Sequence, residues 1–197
     1  GTPVVLVDRA ADRGMCSVSV DDKLGGRLAG THLIDAGHQR IAFIGGPLGM
    51  QQVADRLTGI TTVAEAADVE LQVFEVEVMG VRHGRAVGEQ IAALPPSSRP
   101  TAAFCANDLL ALGFLQAMAA TRLRVPQEMA IVGYDDIGFA AAAAVPLSSV
   151  RQPAGLLGRT AMELLQEEVE DGDRHSHRQV IFQPDLVVRQ SSDPSGD

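Results

Sequence analysis

Aromatic side chains are scarce in this 197-residue chain, with six Phe, one Tyr and no Trp. A core must therefore be built from Ala, Val, Leu and Ile, which a hydrophobic content of 46% supplies. Cysteine is limited to Cys16 and Cys105, which excludes a disulfide framework and offers no metal-ligand spacing. Both read as small buried apolar residues in a reducing compartment. Basic residues are outnumbered, 16 Lys and Arg against 25 Asp and Glu, for a net charge of −9. Without a basic cluster the chain has no electrostatic footprint of its own for nucleic acid. No apolar run approaches membrane-spanning length, and no signal peptide opens the sequence. The opening "GTPVVLVD" lacks Met and enters an apolar run at once, so a missing upstream segment is expected.

What is present is an alternation of short apolar runs with helix-period segments. Extended runs are expected at Val4–Val7, Ser17–Val20, Ile41–Ile44, Leu71–Val78, Ala102–Cys105, Ala130–Tyr134, Val180–Phe182 and Leu186–Val188. Helices are expected at Leu24–Ala36 (closed by Gly37), Gln51–Ala67, Arg82–Leu94, Asp108–Ala120 and Leu156–Val169. Strands alternating with helices of this length imply βαβ units and a parallel sheet, hence an α/β fold. Four such units run from Ile41 to about Ile137 and make one doubly wound lobe. The ends, residues 1–20 and 153–180, carry too few strands for a second lobe of equal size. The tail "SSDPSGD" reads as disordered.

Polar residues gather where these strands end, the place where open parallel sheets bind ligands. "VVLV" runs into Asp8-Arg9, "IAFI" into Gly45-Gly46-Pro47, "LQVFEVEV" into Met79-Gly80, "AAFCA" into Asn107-Asp108 and "AIVGY" into Asp135-Asp136. Arg56 lies near the start of the helix after "GGPLGMQQV". Carboxylates, a guanidinium fork and an amide are the groups that hydrogen-bond the hydroxyls or amides of a small neutral ligand. Plainer roles compete at each position. Asp108 and Asp136 stand where a helix or turn begins and read as caps. Asn107 could tie down its own backbone, Asp135 could be a turn carboxylate, and Arg56 a solvated helix residue.

Other motifs carry less. Gly25-Gly26-x-x-x-Gly30 lacks dinucleotide spacing, and "GGPLG" lacks the Gly-Lys-Ser/Thr of a phosphate loop. His175 and His177 fall in "EDGDRHSHR", which reads as a solvated loop rather than a metal site. Cys105 has no His nearby in sequence to act as a base. Adjacent strand-end carboxylates point apart, which argues against Asp135 and Asp136 as an acid/base pair. No enzyme constellation emerges.

Six blocks carry a resemblance. "HLIDAGHQRIAFIGGP", "ADRLTGI", "PTAAFCANDLLALG", "RVPQEMAIVGYDDI", "LSSVRQPAGLLGRTAMELL" and "PDLVVRQSS" resemble, in order, the lactose-repressor family of bacterial transcription regulators. The resemblance implies the periplasmic-binding-protein-like (type I) fold, two lobes of doubly wound parallel sheet joined by three crossovers near Asp21, Gln152-Pro153 and residue 180. It places residues 21–152 and 181–191 in a C-terminal lobe, 1–20 and 153–180 in the remnant of an N-terminal lobe, and leaves 192–197 as a tail. Carried over position by position, Asp8, Gln52, Arg56, Met79, Asn107, Asp135 and Gln152 occupy effector-cleft positions. Arg9 joins them because the set resembles the polar residues of the related ribose-binding proteins. That set points to a pentose or hexose; Met79 stands where many members carry an aromatic ring and Ala154 where some carry another, which leaves open a less ring-like or smaller effector.

The resemblance thus implies the effector-binding and dimerisation region of a cytoplasmic, sugar-responsive repressor, with no cofactor, no metal and no membrane. Operator DNA would be reached through a missing N-terminal helix-turn-helix. Homodimerisation is expected through the helix of Asp108–Ala120, apolar on nearly every side, with Leu109 and Leu112 at the contact; the family places the position of Leu112 there. Of the two carboxylates, Asp135 is expected to clamp the ligand opposite Arg56, and Asp136 to be structural. The rival reading is a solute-binding protein of a sugar transport system, which shares the fold.

Overall fold

The βα rhythm condenses into two separate sheets, each with its own core. A computed structural model describes residues 2–9 and 14–193, apart from the side chain of Asp173. The chain splits into two units, Gly1–Asp21 with Gln152–Pro184, and Asp22–Arg151 with Asp185–Asp197.

The smaller unit has three parallel strands, β1 (Val5–Val7), β2 (Cys16–Val20) and β8 (Gln179–Phe182), in the order β1-β2-β8. Helix α6 (Ala154–Asp171) lies against β1 and β2. It buries Leu157 and Leu164 against Cys16, Val18 and Val20. The i, i+7 spacing of the two leucines is the narrow apolar stripe a one-sided helix needs.

The larger unit is a six-stranded sheet in the order β4-β3-β5-β6-β7-β9. Its strands are β3 (Arg40–Gly45), β4 (Glu70–Glu75), β5 (Ala102–Cys105), β6 (Ala130–Asp135), β7 (Ser148–Arg151) and β9 (Asp185–Val187). All pairs are parallel except β7–β9. Strands β3, β5 and β6 are buried almost from end to end, as expected of a sheet covered on both faces. Helices α1 (Asp22–Asp35) and α2 (Gln51–Ala66) form one helix pair, and α3 (Val81–Ala92) and α4 (Asp108–Thr121) another. Both pairs depend on glycine. A Cβ on Gly84 would strike the Leu110 carbonyl, and one on Gly113 the Val81 carbonyl. In the same way Gly26 of "GGRLAG" lies on the Arg56 backbone, so this glycine run serves helix packing.

The structure departs from several expectations. Strand β8 pairs with β2, so the last crossover falls at 184/185 rather than near 180, and Ile181 and Phe182 belong to the smaller unit. Ser192, expected in a disordered tail, is 2% exposed and hydrogen-bonded to His32 and Ser148; residues 194–197 lie outside the described residues. Strand β4 stops at Glu75 rather than Val78. Strand β7 and the single-turn helix α5 (Gly138–Ala141) were not anticipated. Helix α4 does need a second cover, and α3 supplies much of it within the same unit. Leu112 is left half-buried and Leu109 is 43% exposed.

Candidate functional site

Five of the expected site residues lie on the larger unit, at the C-terminal ends of its strands or the helix starts beside them. Arg56 is not a solvated helix residue. It sits one turn into α2 at 4% exposure, with Nε donating to Asp22 Oδ1 at 2.8 Å and Nη1 to the Ala106 carbonyl at 2.6 Å. Its guanidinium carbon stands 3.6 Å from the centroid of the Tyr134 ring. Burial would lower its pKa, but Asp22, with Tyr134 and Asp135 behind it, more than offsets this. The cation is thus fixed in place. Gln52 lies one turn earlier on α2, half-buried, at the i, i+4 offset that puts two side chains on one helix face.

Asn107 is the N-cap of α4. Its Oδ1 accepts from the Leu110 N–H at 2.9 Å and its Nδ2 donates to the Met79 carbonyl at 3.2 Å. The competing backbone role is therefore real, and the same side chain ties the loop carrying Met79 to the end of β5. Asp108 is not the cap. It is fully buried at the first position of α4, where Oδ1 accepts from Ser149 Oγ at 2.7 Å and Oδ2 from the Ile137 N–H at 2.9 Å. Burial raises its pKa to about 6 against the pull of those two hydrogen bonds, with Asp135 and Asp136 adding to the rise.

Asp135 and Asp136 both adopt positive φ, 101° and 50°, a conformation costly for most side chains but tolerated by Asp and Asn. The surroundings hold them there. The Asp136 N–H donates to Ser149 Oγ at 3.0 Å, and Asp108 holds the next N–H. Asp136 does not cap the turn that follows, since α5 has Ile137 at its N-cap and no side-chain cap. Its carboxylate, 10% exposed, pairs with Arg189 at 2.7 Å and with Arg151 at 4.0 Å. Asp135 is half-buried and its charge acts on Arg56. Met79, Asn107, Arg56 and Asp135 thus form a chain of neighbours, linked through Ala106 and Tyr134.

The other three expected residues lie on the smaller unit. Asp8 is half-buried with φ 55° and donates its N–H to the Val18 carbonyl at 2.8 Å. Arg9 is exposed and Gln152 half-buried, its carbonyl accepting from the Ala154 N–H. Asp22, Tyr134, Ser149 and Arg189 were missed as members of the larger unit's rim. Of these only Asp22 carried a sequence signal, as an acid in the first turn of a helix. Cys105, fully buried with its thiol pKa pushed up by burial, is unsuited to nucleophilic chemistry.

Comparison with known proteins gives the family of the chain. The model of the periplasmic binding protein-like domain matches residues 31–192. The chain is 33% identical to the HTH-type transcriptional repressor PurR of Aliivibrio fischeri, over 96% of this chain and 57% of that protein. It is 38% identical to the ribose operon repressor of Haemophilus influenzae, over 85% and 50%. Among solved structures it is similar to a LacI-family regulatory protein of Chloroflexus aggregans, with a TM-score of 0.87, 32% identity and coverage of 97% and 69%. It is also similar to a LacI-family regulator of Lactobacillus casei with bound glucose, with a TM-score of 0.84, 27% identity and coverage of 95% and 69%. The chain spans little more than half the length of the curated relatives. No described helix is long and apolar enough to cross a membrane. The chain belongs to the periplasmic-binding-protein-like domain family, within the group formed by the lactose-repressor-type transcription regulators.

Proposed function

We propose that this chain is the effector-binding region of a sugar-responsive transcription repressor. In this reading it works in the cytoplasm as a homodimer and reaches operator DNA through a helix-turn-helix outside the chain. The observation that carries the reading is the rim of the larger unit. There a buried guanidinium, a carboxylate on a strained turn and an amide converge at the C-terminal ends of β5 and β6. Such a set offers fork donors and two-headed acceptors to neighbouring hydroxyls. Matches to a ribose operon repressor and to a glucose-bound regulator support a sugar. The proposed contacts on the rim are Gln52, Arg56, Met79, Asn107 and Asp135; Asp8, Arg9 and Gln152 are carried by family resemblance alone.

Function here is coupling between two binding equilibria, without chemistry. A ligand that prefers one conformation of the effector region shifts operator affinity by the difference in its affinities for the two states. The test is a melting-temperature panel of neutral sugars and sugar phosphates. A neutral sugar present at about 100 times its Kd stabilises by about 2.7 kcal/mol, a shift of several degrees, and Asp135→Asn, at the same sugar concentration, should remove about half of it or more. A panel in which no sugar shifts the transition, while an effector of another class does, overturns the sugar assignment.

A further inference from the structure

"EDGDRHSHR" does not behave as a purely solvated loop. It follows α6 through a 3-10 turn (Gly172–Arg174) and enters β8. His177 is exposed, but His175 is half-buried and its Nε2 lies 3.1 Å from the Sγ of Cys16. His177 Nδ1 lies 3.9 Å from the same sulfur. A Glu168 carboxylate oxygen, from the last turn of α6, completes a group whose four ligand atoms lie within 4.8 Å of one another.

The fold, not chance, makes this cluster. Strand β2 pairs in register with β8, Ser17 opposite Gln179, which fixes Cys16 beside the residues leading into β8. In extended chain, residues two apart face the same side, so His175 and His177 can both address the thiol. The backbone N–H of Arg178, between the histidines and β8, donates to Cys16 Sγ at 3.3 Å. That bond suits a sulfur carrying negative charge. The cluster also contains an unsatisfied polar group. Glu168 Oε2 is buried without a hydrogen-bond partner among the described residues, an expensive state for a carboxylate unless a cation compensates it.

We propose that Cys16, Glu168, His175 and His177 form a site for one transition-metal ion of zinc's class, with Zn2+ the ion the donors suit best. One thiolate and one carboxylate balance a divalent charge, and two neutral imidazoles complete a tetrahedral set of soft and borderline ligands. Tetrahedral bonds of about 2.0–2.3 Å hold ligand atoms about 3.3–3.8 Å apart, so a group already gathered within 4.8 Å needs to close by only about 1 Å around the ion. A closed set of four protein ligands makes the site structural, clasping the turn between α6 and β8 onto the start of β2. No residue of the effector reading takes part, so the two can fail separately.

The chain, reduced and treated with chelator, is titrated with Co2+ as an optical stand-in, and metal content is then measured after Zn2+ loading and desalting. The expected result is a sulfur-to-cobalt charge-transfer band with intense tetrahedral d–d absorption, displaced by Zn2+, at one ion per chain. Cys16→Ser should remove the charge-transfer band. His177→Ala, which alters an exposed side chain and leaves folding unthreatened, should weaken binding at least tenfold. Absence of the band in the parent chain, or retention of unchanged metal affinity in His177→Ala, overturns the site. Melting curves of both variants identify any loss that is only unfolding, and in that case His177→Ala decides.

Discussion

Removing Asp22 tests how Arg56 is held. Asp22 and Arg56 are 6% and 4% exposed and are joined at 2.8 Å. Asp22→Ala would leave a buried guanidinium without its counter-charge, a change that costs about 3–5 kcal/mol in buried pairs. The Ala106 carbonyl, the Tyr134 ring and the charge of Asp135 survive, which places the expected loss near the lower end, at about 3 kcal/mol. Tyr134 is the chain's single Tyr and there is no Trp, so intrinsic fluorescence reports unfolding of the larger unit alone. Urea titration by that signal should show a lower midpoint with an unchanged slope, and the melting temperature should fall by about 10 °C. Arg56→Met with Asp22→Ala should recover part of the loss, because no charge is then stranded. A single-variant loss below about 1 kcal/mol, or a double variant less stable than Asp22→Ala, would refute the account of a charge compensated mainly by Asp22.

Asp135→Asn keeps a residue tolerant of positive φ and removes the charge, so affinity for the sugar found by the panel should fall about ten- to hundredfold with little change in melting. Asp136→Asn should instead lower stability by about 1–2 kcal/mol through loss of the Arg189 pair and leave affinity nearly intact; reversed outcomes in parallel titrations and melts would mean the two roles are exchanged. Asp108, with a folded pKa of about 6 against about 3.9 unfolded, binds more protons folded than unfolded between those values. Its contribution is therefore fully present below about pH 4 and lost as pH rises towards about 6. Urea midpoints for wild type minus Asp108→Asn should fall across that window, and a flat difference would refute the shift. Leu109→Glu and Leu112→Glu should each weaken self-association seen by sedimentation, with Leu112→Glu also lowering stability because Leu112 packs partly on the core; unchanged association in both would move the dimer contact elsewhere.

The fold was legible wherever burial and periodicity coincide. Strands β3, β5 and β6 are continuous apolar runs, and the helices begin and end within about two residues of their expected bounds because apolar spacing and Gly or Pro punctuation coincide there. Strand β7 was hidden because two of its four residues are serines. Ser148 and Ser149 are nevertheless fully buried, since their hydroxyls are consumed by Asp108, the Arg189 carbonyl and Ser192. A pattern rule takes serine for surface; only a distant partner turns it into core. Ser191 and Ser192 were misread as tail for the same reason, because their partners Ile131, Ser148 and His32 are 40 or more residues away in sequence.

The strand-end rim was legible as a set of polar side chains, but how the fold employs each of them was not. Two adjacent carboxylates after a buried strand could not be assigned from sequence, because what separates them comes largely from distant segments. Gly133 has no side chain where the Asp108 carboxylate passes, and a Cβ there would collide with Oδ1. That opening lets Asp108 reach Ser149 and the Ile137 N–H, and together they lock the backbone of Asp135 and Asp136 at positive φ. The lock turns the Asp136 carboxylate towards Arg189 and Arg151, so its charge is balanced within the fold. Asp135 acts instead on Arg56, which Asp22 and the Ala106 carbonyl already hold still. A carboxylate and a guanidinium, each fixed by separate buried partners, would lose little entropy in the ligand binding proposed for them. On the proposed function, two charges stand at the end of β6 because the first serves the ligand and the second anchors the turn that presents it.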